Sequence, residues 1–190
     1  MRNLEKYFLA IVPPVEIVEQ VTAIKDELQQ KFGIKYALKS PPHVTLKMPF
    51  SYNETKEWLL AGRIEDFLQR QASFPLEIIG VGTFGNRVIF LDIVQSEELK
   101  ILQSALKSFC KKDLNLIDEL SDRNYHPHMT VAFKDLKPTL FREVLEVVKS
   151  HGFSARFQVT QLTLLKRSEG RWRVHRQVGF GGVEADQLGV

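Results

Sequence analysis

The chain has 190 residues, 44% of them hydrophobic and 26% charged, with a net charge of only +3. Those values suit a single globular domain that folds without disulfides or a structural metal, and they do not mark a strongly basic nucleic-acid binder. The only cysteine, Cys110, excludes an intrachain disulfide and a cysteine-based zinc cluster, and its place in a helical apolar pattern predicts a core residue.

The first apolar run, residues 7–12, is too short for a membrane span and lacks a small-residue cleavage site after it. A cytoplasmic protein with no membrane partner is therefore expected. Strand patterning covers 6–12, and Val15, Val18, Val21, Ile24 and Leu28 follow at helical spacing. A strand is predicted over 44–48, a helix around Trp58, Leu59, Ile64, Phe67 and Leu68, and strands over 76–81 and 88–94. Leu99, Leu102, Leu106 and Phe109 mark the next helix, and a strand is predicted over 129–133. Another helix follows around Leu140, Phe141, Val144, Leu145 and Val148, with Pro138 near its start and Gly152 past its end. Two strands, 157–165 and 172–178, complete the pattern, and 181–190 is expected to be a flexible tail.

The order strand-helix-strand-helix-strand occurs twice, and the sequence repeats with it. Phe8 opens the pentad FLAIV and Phe90 opens FLDIV, each followed by a helical pattern, a polar loop and a His-x-Thr core. His43 lies 35 positions after Phe8 and His128 lies 38 after Phe90. Duplication explains the shared order and spacing. The expectation is one α+β domain over 1–190, bilobed, with two small, mostly antiparallel sheets flanked by helices, pseudo-twofold symmetry and a central groove. The lobes fall roughly at 1–85 and 86–180, with terminal strands free to cross between them.

On a strand, side chains two apart share a face, so His43 sits with Thr45 and His128 with Thr130. Val44 and Leu46, and Met129 and Val131, take the opposite, core-facing side. Polar pairs placed twice on apolar strands suit in-line displacement at phosphorus. That reaction needs a base on the attacking oxygen, an acid on the leaving oxygen and donors to the oxygens between them. Imidazole serves either proton role near neutral pH. Three other readings stay open: histidines satisfied by backbone groups, a metal held through His126 and His128 with His43, and a site that binds phosphate without turnover. Around the motifs, Tyr36, Lys47, Tyr125, His126, Lys134 and Arg173 are candidate substrate-binding residues. Arg173 belongs to the basic run KRSEGRWRVHR, 166–176, and Tyr36 and Tyr125 to the loops that precede the motifs.

The segments PPHVTLKMPF and YHPHMTVAF resemble the twin H-[apolar]-T-[apolar] motifs of the 2H phosphoesterases, in particular the bacterial 2′,5′-RNA ligase-like and cyclic nucleotide phosphodiesterase branch. GTFGNRVIFLDI and LLKRSEGRWRV extend the similarity over most of the chain. The resemblance implies metal-independent opening of 2′,3′-cyclic phosphates, of nucleotides or RNA ends, to 2′-phosphates. It implies His43 and His128 as the acid-base pair, with His43 the acid on the leaving oxygen, and Thr45 and Thr130 as phosphate binders. No cofactor, metal or obligate protein partner is expected, and the protein is expected to be a monomer. The alternatives are a 2′,5′ RNA ligase or RNA-end exonuclease using the same site, and a non-catalytic RNA- or nucleotide-binding module. Ligase-like members often carry an Arg three residues after the second Thr; here Phe133 stands there, followed by Lys134.

Overall fold

A computed structural model describes residues 3–181; residues 182–190, nearly all of the expected tail, lie outside it. The chain runs β1 (Leu4–Ile11), α1 (Val15–Phe32), β2 (Val44–Asn53), α2 (Glu57–Leu68) and β3 (Phe74–Phe84). The second pass is β4 (Val88–Ile93), α3 (Glu97–Lys112), the short α4 (Leu120–Arg123), β5 (His128–Ala132), α5 (Phe141–Ser150) and β6 (Ser154–Val159). A closing hairpin, β7 (Gln161–Ser168) and β8 (Arg171–Gly179), follows.

The helices form where the sequence places apolar stripes. Ile17, Val21, Ile24 and Leu28 are buried along α1, which stops at Gly33 in the left-handed conformation, its N–H returned to the Gln29 and Leu28 carbonyls. Leu99, Leu102, Leu106 and Cys110 are buried along α3, which Ser96 caps by accepting from the Leu99 N–H at 3.2 Å. Cys110 is a core residue, and burial pushes its thiol up to about 12.

The eight strands make two four-stranded antiparallel sheets, ordered β2-β1-β7-β8 and β5-β4-β3-β6. In each sheet a motif strand holds the edge and the pentad strand lies next to it, which is the internal repeat in three dimensions. β3, within the first expected lobe, belongs to the second sheet. β7 and β8, within the second, cross back to the first.

The single strand predicted over 157–165 is instead two, broken at Thr160 where the chain leaves one sheet for the other. The apolar alternation slips there, from Phe157 and Val159 to Leu162 and Leu164, because successive strands turn their inward residues towards different sheets.

Most of the buried side chains form one continuous core shared by both halves. α1 lies against β5 and α3 against β2, so each helix reaches across to the motif strand of the other half, and β2 lies beside β5. That crossing brings two segments some 85 residues apart side by side, and the space they border is the candidate cleft.

Candidate active site

The two motif histidines have the same local geometry. The Nδ1 of His43 lies 2.7 Å from the Pro41 carbonyl oxygen, and the Nδ1 of His128 lies 2.7 Å from the His126 carbonyl oxygen. A carbonyl only accepts, so each Nδ1 carries a hydrogen and donates it, which fixes the tautomer. Each neutral ring therefore has its lone pair on Nε2, the atom free to take or give a proton.

Aromatic side chains hold both rings. His43 packs on Phe8, with centroids 4.9 Å apart, and Phe8 meets Trp172 edge-on at 4.8 Å. His128 packs on Phe90 at 5.1 Å and edge-on against Phe84 at 4.9 Å. Phe8 and Phe90 are the first residues of the repeated pentads, so the duplication preserves the platform as well as the motif. Phe90 lies over Gly82 on β3, where a Cβ would come within 2.3 Å of the Phe90 ring. Thr45 pairs with Ala10 and Thr130 with Phe90, and strand alternation puts each threonine side chain on the face of its histidine.

The rings differ in the charges around them. Burial pulls His43 from its ordinary value near 6.5 down to about 4; the Pro41 bond opposes this, and the nearby charges of Lys25 and His128 add to it. His128 is lowered too, mainly by burial; its bond to the His126 carbonyl and the Asp92 carboxylate oppose this, and the His126 charge adds to it. Asp92 is the direct cross-strand partner of His128.

A folded-state pKa below the unfolded value means that protons favour the unfolded chain, so His43 contributes stability above pH 6.5 that is lost as pH falls towards 4. Allowing for the part of this residue that solvent reaches, the loss is expected to be about 2 kcal/mol. Urea unfolding of the wild type and His43→Gln across that window checks it. The wild type should lose that much more stability than the variant, and parallel curves would show a solvated ring.

The structure brings some of the other candidate residues to the cleft and removes others. Tyr36 and Lys134 meet, with the Lys134 Nζ donating to the Tyr36 hydroxyl at 3.0 Å, and Phe133 packs edge-on against Tyr36. Backbone N–H groups of Lys35 and Tyr36 also donate to Asp135 at 2.9 and 2.8 Å, so the loop before β2 is tied to the turn after β5. The Lys134 hydrogen bond and charge hold the Tyr36 phenol below its ordinary value. His126 is exposed beside His128, 3.7 Å from Asp92.

Lys47 is not in the cleft. A bulge in β2 between Thr45 and Lys47, opposite Leu9 and Ala10 of β1, shifts the register and turns Lys47 inward, where it is 1% exposed and bonded to Asp122 and to the Ile117 carbonyl. Tyr125 packs against the core with its hydroxyl buried, which makes it a plug for its loop and not a stacking surface. Arg173 pairs with Glu169 at 3.2 Å on β8, the far edge of the first sheet from β2.

Phe84, Asp92, Trp172 and Lys25 were not singled out by sequence pattern. A signal existed for Lys25, which interrupts the buried stripe of α1 between Val21 and Leu28.

Among the described residues no three His, Cys, Asp or Glu side chains converge to hold a metal ion, and no helix is long and apolar enough to cross a membrane.

The fold recurs in solved structures. A protein of Thermus thermophilus superposes with a TM-score of 0.66 at 16% identity, covering 94% of this chain and 100% of the other. E. coli LigT complexed with NADP+ superposes with a TM-score of 0.64 at 21% identity, covering 95% of this chain and 100% of that one. In sequence, a candidate phosphoesterase of Oceanobacillus iheyensis is 25% identical over 179 residues, 93% of this chain and 98% of its own. Another from a Geobacillus species is 24% identical over 184 residues, 95% and 99% of the two chains. The family model described as the 2′-5′ RNA ligase superfamily matches residues 13–171. With both motifs inside that match, on edge strands of two sheets arranged alike, the chain belongs to the 2′-5′ RNA ligase superfamily of 2H phosphoesterases.

Proposed function

We propose that this phosphoesterase hydrolyses 2′,3′-cyclic phosphates of nucleotides or RNA ends to the 2′-phosphate, without a metal, using His43 and His128 for proton transfer. The observation that carries the reading is the pair of Nδ1–carbonyl bonds, which leave a free Nε2 on each of two histidines in neighbouring strands. A water oxygen bonds to phosphorus as the bond from phosphorus to the 3′ oxygen breaks. One imidazole takes the proton from water and the other gives a proton to the departing oxygen. Thr45 and Thr130 donate to the oxygens that stay on phosphorus.

The stronger depression of His43 favours exchanging the roles that the family resemblance implied. His43, held down by burial with Lys25 nearby, is the neutral base, and His128, less strongly lowered and with Asp92 offsetting the His126 charge, is the better proton carrier. That a solved LigT complex contains 3′-AMP supports a nucleotide-sized ligand for this cleft. Ligation to a 2′,5′ bond is the reverse displacement at the same atoms, and the pairing of Tyr36 with Lys134 at the cleft mouth favours keeping RNA ends among its substrates.

Purified protein in EDTA is expected to turn over nucleoside 2′,3′-cyclic phosphates, with phosphorus NMR showing the 2′-phosphate as product. Activity that chelation abolishes and zinc restores would overturn the mechanism. A 3′-phosphate product would overturn the choice of leaving oxygen.

A further inference from the structure

Behind the Pro41–Pro42 step that leads into His43 lies a pocket of about 320 Å³ with an unusual lining. Lys25, Lys39, Arg171 and Arg173 border it together with Ser40 and Trp172, and among the described residues no carboxylate does. Its volume is at the lower end of small-molecule sites.

Lys25 is the uncommon feature. It is 2% exposed, and among the described residues no Asp or Glu oxygen lies within ion-pair distance of it. Its Nζ donates to the Ala37 carbonyl at 3.1 Å and to the Ser40 carbonyl at 3.4 Å, which leaves one of three hydrogens uncommitted. Buried lysines without a charged partner are costly, so this one calls for a compensating anion. Burial pulls it down to about 8 against a smaller opposing pull from the neighbouring Asp26 charge, and a bound anion would reverse that shift. Arg171 reaches in from β8, with only a 3.5 Å contact to the Leu38 carbonyl to hold it. Arg173 is already engaged by Glu169.

The pocket and the cleft share a wall. Trp172 lines the pocket and packs on Phe8, Phe8 packs on His43, and the carbonyl of Pro41, itself a lining residue, fixes the His43 tautomer. Lys39 borders the pocket and also sits 4.6 Å from the Tyr36 ring at the cleft mouth, so positive charge runs from one to the other.

We propose that this pocket is a second anion subsite, in which Lys25 and Arg171 hold a phosphate group of the substrate other than the one that reacts. The inference rests on the proposed cyclic-phosphate reaction for what it says of substrate. The favoured substrate class is a nucleotide or oligonucleotide that carries a further phosphate, either a terminal 5′-phosphate or the neighbouring diester of a chain. Trp172 forms the apolar side of the subsite.

Binding is tested without turnover. In Trp58→Phe, Trp172 is the remaining tryptophan, and its indole N–H resonance is followed as inorganic phosphate is added at fixed ionic strength. The resonance should move saturably, and both Arg171→Ala and Lys25→Met should weaken the response about tenfold. Arg171 is exposed, so that variant keeps the fold if Lys25→Met does not. No movement up to about 20 mM phosphate, or movement indifferent to Arg171→Ala, overturns the subsite.

Substrate is tested by comparing kcat/KM for a nucleoside 2′,3′-cyclic phosphate with that for its 5′-phosphorylated form and for a dinucleotide ending in the same cyclic phosphate. A preference of about tenfold for either longer form, shrinking towards unity in Arg171→Ala, supports the assignment and identifies the source of the phosphate. Equal values in the wild type overturn it. Phosphate binding by a protein that turns over none of the three would leave the subsite standing and remove the proposed reaction.

Discussion

Alanine at His43 or at His128 is expected to lower kcat/KM for 2′,3′-cyclic phosphate hydrolysis by about 10³-fold, within the 10²–10⁴ range of positioned proton transfer. The double variant should be little worse than either single one. When the base is missing, the acid has no developing leaving-group charge to neutralise, and the converse holds too. A tenfold loss or less in each single variant would show that the imidazoles do not carry the proton. His43→Ala also leaves the Pro41 carbonyl without its donor, so thermal unfolding must accompany the kinetics. Thr45→Val and Thr130→Val keep shape and remove a donor, and each should cost about 10²-fold in kcat. The pH profile adds an independent check. His43, depressed to about 4, stays neutral in the free protein above that pH, so the acidic limb of kcat/KM should lie below the range of an ordinary imidazole.

Much of this site was legible because period-2 patterning and a repeated motif carry it. His43 with Thr45 and His128 with Thr130 needed only the alternation of a strand. The βαβαβ order and its repetition followed from apolar spacing, since α1, α2, α3 and α5 each bury an apolar stripe, interrupted by Lys25 in α1 and Gln103 in α3. Sheet membership was harder. The three-residue link Gly85-Asn86-Arg87 is a hairpin signal that joins β3 to β4, but nothing in the sequence of 74–84 tells which strand takes its other edge. The crossing at Thr160 left a trace in the phase slip between Val159 and Leu162, but a single slip also fits a bulge.

The residues misplaced by pattern reasoning share one cause, a position that depends on partners distant in the chain. Lys47 is two residues from Thr45 and should share its face. The bulge in β2 opposite Leu9 and Ala10 breaks that alternation and buries it. Tyr125 sits in a polar loop, where composition suggests exposure, yet its ring is drawn into the core. Lys25 is the opposite case: a charge in a buried stripe looks like a flaw in an amphipathic pattern until its two carbonyl acceptors are seen.

The Lys47–Asp122 pair carries the largest expected stability effect, because both side chains are almost wholly buried, at 1% and 2% exposure. Asp122 also accepts from the Met48 N–H and the Glu119 N–H, both at 2.9 Å, and Lys47 donates to the Ile117 carbonyl at 2.8 Å. One carboxylate thus ties the strand of the first motif to the segment that leads into the second. Asp122→Ala would leave an ammonium in the core with Asp118 no nearer than 3.9 Å, and the expected cost is about 3–5 kcal/mol. Lys47→Met combined with Asp122→Asn should recover most of it, since the amide oxygen still accepts from Met48 and no charge stays buried. Urea unfolding of the two proteins checks the energies, and a double variant as unstable as Asp122→Ala would contradict the electrostatic account. The chain's only thiol gives a local readout. Cys110 is fully buried within reach of both charges, so its modification rate should rise about 10²-fold or more in Asp122→Ala and fall back in the double variant. Because the same tie aligns β2 with β5, the histidines should lose their fixed spacing as that region opens, and turnover should fall in step with the protection of Cys110.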